Sequence, residues 1–205
     1  MKYVLGIVIT LAFLGVGTLL FAWSGFYNIA ATEPHWGITK SFIEALRDRS
    51  ISVRSGDLQV PDLDDSKFKE AAFSHYHEMC RLCHSAPGYR PNEFSKGLYP
   101  APPLMMSGDI QKSLSDAEIY CIVKHGIKLT GMPAFGPTHE EPELWGLVAL
   151  AKEMPQMDSE QYRQLISKEG ETGHGHTHGE SEKEMEEGHV HDEPHEHADA
   201  EEGYH

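Results

Sequence analysis

The sequence predicts an all-α protein in three parts: one N-terminal transmembrane helix, a small helical domain and a disordered, acidic, histidine-rich tail. Three observations carry this. No residue between Lys2 and Glu33 is charged. Apolar residues in the middle of the chain recur at helical spacing behind capping signals, with no strong strand alternation anywhere. Residues 169–205 hold 13 Asp/Glu, one Lys and eight His, −12 of the −15 formal charge.

The uncharged gap contains "YVLGIVITLAFLGVGTLLFAW", Tyr3 to Trp23. About 20 apolar residues suffice to cross a bilayer as a helix. A cleaved signal peptide has a shorter apolar region, about 7–15 residues, and a cleaner cleavage site than "YNIAAT". Residues 1–31 are therefore read as a retained anchor. Trp23, Phe26 and Tyr27 would lie at the far interface, where aromatic rings collect. Lys2 and the amino terminus are the only positive charges before the span, and they favour a cytoplasmic N-terminus with an exported body. Residues 32–64, with a short helix around "ITKSFIEALRDR", read as a linker that gives the body reach. Residues 65–165 are left to form the one folded domain.

Asp65 to Leu82 reads as a helix with Phe68, Ala72, Tyr76 and Met79 on one apolar face. "SDAE" from Ser115 is a capping box with Glu118 in the reciprocal role, and Gly126 closes the helix that follows. "THEE" from Thr138 reads as a second capping box, with Glu141 as its partner. The helix behind it places Leu144, Leu147, Val148 and Ala151 on one stripe with Trp145 beside it, and Pro155 stops it.

Three cysteines are present, Cys80, Cys83 and Cys121. The first two stand in "CRLCH", directly before His84. C-x-x-C-H is the attachment signature of a c-type haem. Two thiols on one helical turn can form thioethers to two vinyl groups of one porphyrin, and the next imidazole lies beneath the ring to bind iron. A thioredoxin-like pair would need a preceding strand, and a zinc site would need a second Cys/His pair; the folded part has neither. Cys121, within "DAEIYCIVKHG", reads as a buried free thiol.

Iron held by His84 needs a ligand on its other face. A thioether is soft, stabilises reduced iron and raises the potential. Met132, in "TGMPAFG", lies between a glycine that lets backbone approach the ring and a proline that fixes the turn. It is the expected distal ligand, with Met105 or Met106 next. His75 and His77 are expected to face solvent, and His125 to end a helix where positive charge is favoured.

"CRLCH" followed by "KLTGMPAFG" and a C-terminal amphipathic helix resembles the class I cytochrome c family, over about residues 65–157. The resemblance implies a cytochrome c-like haem domain in which the first and last helices cross near one haem edge, with Tyr76 and Trp145 at the crossing. It implies a proline carbonyl that accepts the free N–H of His84, either Pro102 or Pro103. "SGFYNIAATEPHW" and "RDRSI" also resemble the membrane-anchored monohaem cytochromes of bacterial respiratory chains. An iron with both axial positions filled has no place for a substrate, so an electron carrier rather than an enzyme is expected, with its haem domain on the periplasmic side of the inner membrane. Quinol–cytochrome c reductase or a periplasmic dehydrogenase would be the donor, and a terminal oxidase or reductase the acceptor.

Residues 166–205 read as disordered, because little there can offset the entropy of ordering. His174, His176, His178, His189, His191, His195 and His197 stand among carboxylates and form a candidate site for Cu, Zn or Ni. Two other functions fit the sequence: a haem-containing metal-handling protein that uses this tail, and a haem sensor or enzyme with a displaceable methionine. With no basic patch, a nucleic-acid partner is not expected.

Overall fold

The computed structural model describes residues 1–64 and 72–172. Among them the chain is helical, with no strand and one isolated β-bridge, between Ala86 and Tyr89. Phe68 and the seven tail histidines lie outside the described residues. Residues 1–172 form one compact unit.

Helix α1, Lys2–Trp23, buries none of its residues and is long and apolar enough to cross a membrane. At 1.5 Å per residue it is about 33 Å long, which matches a hydrocarbon core of about 30 Å. Helix α2 is Gly37–Ser55. Helix α3 covers 72–84, with a π turn at Tyr76–Cys80 and a last α turn at Arg81–His84. Then come α4, Glu93–Gly97; α5, Asp109–Ser113; α6, Asp116–His125; and α7, Glu141–Glu153, which runs on into a 3₁₀ turn at Met154–Gln156. Helix α8 is Ser159–Thr172.

Two apolar clusters meet on α7. One joins Ala72, Phe73 and Tyr76 of α3 to Leu147, Leu150 and Ala151 of α7, with Met105, Met154 and Tyr162. The other joins Ile119 and Tyr120 of α6 to Leu144, Trp145, Val148 and Ala149, with Leu63. Every residue from Leu144 to Ala151 is buried, so α7 is covered all round rather than along one stripe. The first and last helices of the expected domain do pack together, and Tyr76 belongs to that contact. Trp145 does not. It faces the other cluster, stacked on Tyr120 with ring centroids 4.0 Å apart.

The Ser115 capping box forms as read: Glu118 N–H donates to Ser115 Oγ, and Ser115 N–H donates to the Glu118 carboxylate. The second box is shifted by two residues. Glu140 is the N-cap, its N–H donates to Glu143 at 2.8 Å, and Thr138 turns back onto Phe135 O. Pro142 decides this. With Thr138 as cap it would stand at the fourth helical position and lack the N–H that closes the first turn; with Glu140 as cap it falls at the second, where no such bond is needed.

The apolar face read along α3 breaks at Met79, which is exposed, while Cys80 packs against the first cluster. The π turn holds an extra residue and rotates everything after it, which a strict 3.6-residue period does not allow for.

Helix α8 crosses residue 165, where the domain was expected to end. Tyr162 is fully buried against Phe73, with rings 4.9 Å apart. The start of α8 is set by Asp158: its Oδ1 accepts from Glu160 and Gln161 N–H, and its own N–H donates to Gln161 Oε1. That D-x-x-Q box is a local helix-start signal within four residues of chain.

The segment read as a free linker is packed on the domain. Helix α2 lies along α6. Leu63 enters the second cluster, and His35 N–H donates to Tyr99 Oη at 3.0 Å.

Candidate haem site

Helix α3 brings Cys80, Cys83 and His84 together on its last turn and a half. Both thiols are free and half-buried. Burial pushes the Cys80 thiol up to about 12, and Cys83 adds to the shift. A site that penalises thiolate does not oppose a thioether, which carries no charge.

His84 Nδ1 lies 2.8 Å from Pro103 O. A carbonyl only accepts, so Nδ1 carries the proton and the Nε2 lone pair is the one available to a metal. Of the two prolines the sequence left open, Pro103 makes this contact. Burial lowers the His84 pKa, and the bond to Pro103 opposes it less strongly, so the ring is held in the neutral form that binds metal.

The chain then turns sharply. Ser85 has φ 61° and ψ −173°, a region occupied almost only by glycine. Three hydrogen bonds hold it there. Its N–H donates to Arg81 O at 2.9 Å, its Oγ donates to Tyr89 O at 2.7 Å, and its carbonyl accepts from Tyr76 Oη at 2.7 Å. Burial raises the Tyr76 pKa strongly, so the phenol stays a donor. Tyr76→Phe leaves the Ser85 carbonyl buried without this donor, at a cost of about 1–3 kcal/mol. Thermal unfolding should fall by about 4–8 °C per kcal/mol for a domain of this size.

Met132 lies on the loop between α6 and α7, which is closed on itself by its own hydrogen bonds and tied to the end of α6 through Phe135 and Gly136. Ile127 N–H donates to Met132 O at 3.2 Å, Phe135 N–H to Val123 O at 3.1 Å, and Gly136 N–H to Lys124 O at 2.9 Å. Met132 N–H donates to Thr130 Oγ1 at 3.1 Å. Gly126 has φ 64°, and a Cβ there would lie 2.7 Å from Pro133 C and 2.8 Å from Met132 O. At Gly131 a Cβ would meet Leu98 Cδ2 at 2.6 Å. The rival methionines are engaged elsewhere: Met105 and Met154 lie in the first cluster, and Met106 and Met157 pack against it. Met132 is in neither cluster.

Two histidine expectations fail. His75 is largely buried, with Nδ1 3.2 Å from His139 Nε2 and Nε2 3.7 Å from Glu143. His77 Nδ1 lies 3.1 Å from Tyr162 Oη, and burial, then Arg81, lowers its pKa. Their partners come from α7, α8 and the loop before α7, at sequence separations no local pattern reveals. His125 is exposed at the end of α6, and Cys121 is buried, as read. Lys124 is paired with Glu141 at 2.8 Å, whereas Lys96, Lys112 and Lys128 are exposed. Among the described residues no group of three or more His, Cys, Asp or Glu is spaced to hold a metal ion.

The donor set fits haem c: two uncombined thiols, an imidazole with a fixed tautomer, and a thioether on a separate braced loop. An all-α domain with C-x-x-C-H on its first helix, and that helix packed on a later one, is consistent with a c-type cytochrome domain. Residues 69–150 match the family model described as cytochrome C oxidase, cbb3-type, subunit III. The match covers less than half of the chain, so it speaks for the haem domain and not for α1, α2 or α8. No curated protein and no solved structure matches the chain. Over these residues the chain is similar to that family, which supports a haem cytochrome domain of the electron-carrying kind and implies haem c as its cofactor.

Proposed function

We propose that the chain is a membrane-tethered monohaem cytochrome c that passes single electrons between respiratory or periplasmic redox proteins. Cys80 and Cys83 would hold the porphyrin through thioethers, and His84 Nε2 and Met132 Sδ the iron. The haem supplies a one-electron couple. The observation that carries the reading is the contrast among methionines: four are committed to the core, and Met132 stands on a loop strapped to α6. With both axial positions filled by the protein, no position is left for a substrate, which favours carrier over sensor or enzyme.

The residues around the site keep its geometry constant through a change of charge. Pro103 holds the proton of His84 at Nδ1. Thr130 and Ile127 fix the backbone of Met132. Tyr76 and Ser85 lock the turn after the attachment motif. Helix α1 would place the domain beside membrane partners, on the periplasmic side of the cytoplasmic membrane, where a tether raises local concentration. A quinol–cytochrome c reductase or periplasmic dehydrogenase is the proposed donor, and a terminal oxidase or reductase the acceptor. A metal-binding role for the tail histidines is a separate proposal, tested by metal uptake of the full chain against one lacking residues 173–205.

The test of the main reading is direct. Full-length protein purified from membranes should keep its haem through acid–acetone extraction, titrate as one single-electron wave, and bind no carbon monoxide when reduced in the native fold. Haem lost on extraction, or prompt carbon monoxide binding, would overturn it.

A further inference from the structure

Helix α2 is turned inside out for a helix packed on a small domain. Ile38, Phe42, Leu46 and Val53 are 80%, 69%, 61% and 58% exposed. At 100° per residue they fall within an arc of roughly 80°. The residues sheltered by the domain lie on the other side and are mostly polar: Thr39, Glu44, Arg47 and Ser50 are half-buried with one apolar residue, Ile51, and Ser55 is buried. Ordinary packing would place the apolar stripe against the core.

The start of α2 is tied to the end of α1. Trp36, the residue before α2, has its ring 6.0 Å from Phe21 in the last turn of α1, 6.1 Å from Phe26 and 5.0 Å from Tyr27. Aromatic rings of this kind collect at the headgroup level. If α1 spans the bilayer, α2 begins at its surface.

We infer that α2 lies in the membrane interface, with its Ile38–Phe42–Leu46–Val53 stripe among the lipids. This rests on the reading of α1 as a membrane anchor. An amphipathic helix in this position sinks its apolar face about 5–10 Å into the boundary between headgroups and acyl chains. Arg49 falls on the same face between Leu46 and Val53, and a guanidinium on so long a stem reaches headgroup phosphates while its methylenes stay with the apolar side chains. Because α2 also packs on α6 and His35 hydrogen-bonds Tyr99, the haem domain is held against the bilayer at one orientation instead of swinging on a tether. Its redox partner then meets a haem domain held at one orientation to the membrane.

Spin labels on single engineered cysteines test this in the full-length holoprotein, reconstituted into vesicles of phosphatidylethanolamine and phosphatidylglycerol with the haem kept reduced. Cys121 is buried, and Cys80 and Cys83 are thioether-linked, so the labels go to Thr10→Cys in α1, Leu46→Cys on the stripe and Asp48→Cys on another face of α2. Collision with oxygen relative to a water-soluble nickel chelate should be high at position 10 and several-fold higher at 46 than at 48. Equal ratios at 46 and 48, with position 10 in lipid, overturn the inference and leave the anchor standing. A label at 46 shielded from both reagents means that protein covers the stripe, and also overturns it. A water-accessible label at position 10 removes the anchor and this inference with it.

Discussion

Met132→Ala should abolish the weak red absorption band that sulfur ligation gives ferric haem, and the reduced protein should then bind carbon monoxide. Its reduction potential should fall, because a soft thioether favours ferrous iron and its loss removes that preference. The fall should be on the order of 0.1 V or more, within the roughly 0.8 V over which axial ligands set haem potentials. Thermal stability should drop less than ligation does, since Met132 is in neither apolar cluster. Met132→His separates two effects: a second imidazole closes the iron to carbon monoxide but does not restore the potential. A red band that survives Met132→Ala would move the distal ligand elsewhere, with Met106 the next to test.

The parts of this design written in short stretches of chain were legible. C-x-x-C-H needs only one helical turn to make its point, and the Ser115–Glu118 box closes within four residues. The helix over Lys2–Trp23 is legible because a long uncharged apolar run favours one continuous helix. What failed depended on contacts between distant residues. His75 meets His139 across 64 residues, and His77 meets Tyr162 across 85. Trp145 has two possible neighbours, and periodicity does not say which side of α7 each cluster takes. The π turn at Tyr76–Cys80 carries no local signature, yet it decides that Cys80 rather than Met79 packs inward. Helix α2 was expected only as a short helix in a linker, and its packing on α6 again depends on residues far apart in the chain. Thr138 and Glu141 fit the capping-box pattern, but Pro142 overrules it through a missing N–H.

Gly126→Ala should be the most damaging small substitution in the domain. At φ 64° and ψ −173° any side chain is strained by about 1–3 kcal/mol. The new Cβ would also lie 2.7 Å from Pro133 C and 2.8 Å from Ala134 N, and backbone cannot swing aside as a side-chain tip can. The loop would have to lift from α6, with loss of the hydrogen bonds from Phe135 to Val123 O and from Gly136 to Lys124 O. A destabilisation of about 3 kcal/mol or more is expected, a fall in Tm of roughly 12 °C or more. The red band should weaken at temperatures where helical circular dichroism is still intact, because the loop that carries Met132 gives way first. Gly56→Ala is the control, and it should act with the opposite sign. Gly56 ends α2 with φ −60° and ψ −32°, which alanine adopts freely, and the nearest atom to its Cβ would be 3.5 Å away. Restricting the unfolded chain there should stabilise by about 0.4–1 kcal/mol. If both substitutions leave Tm and the red band unchanged, Gly126 is not the clamp between α6 and the methionine loop. If Gly126→Ala lowers Tm while the band persists to the global transition, the loop unfolds with the domain and has no separate weakness.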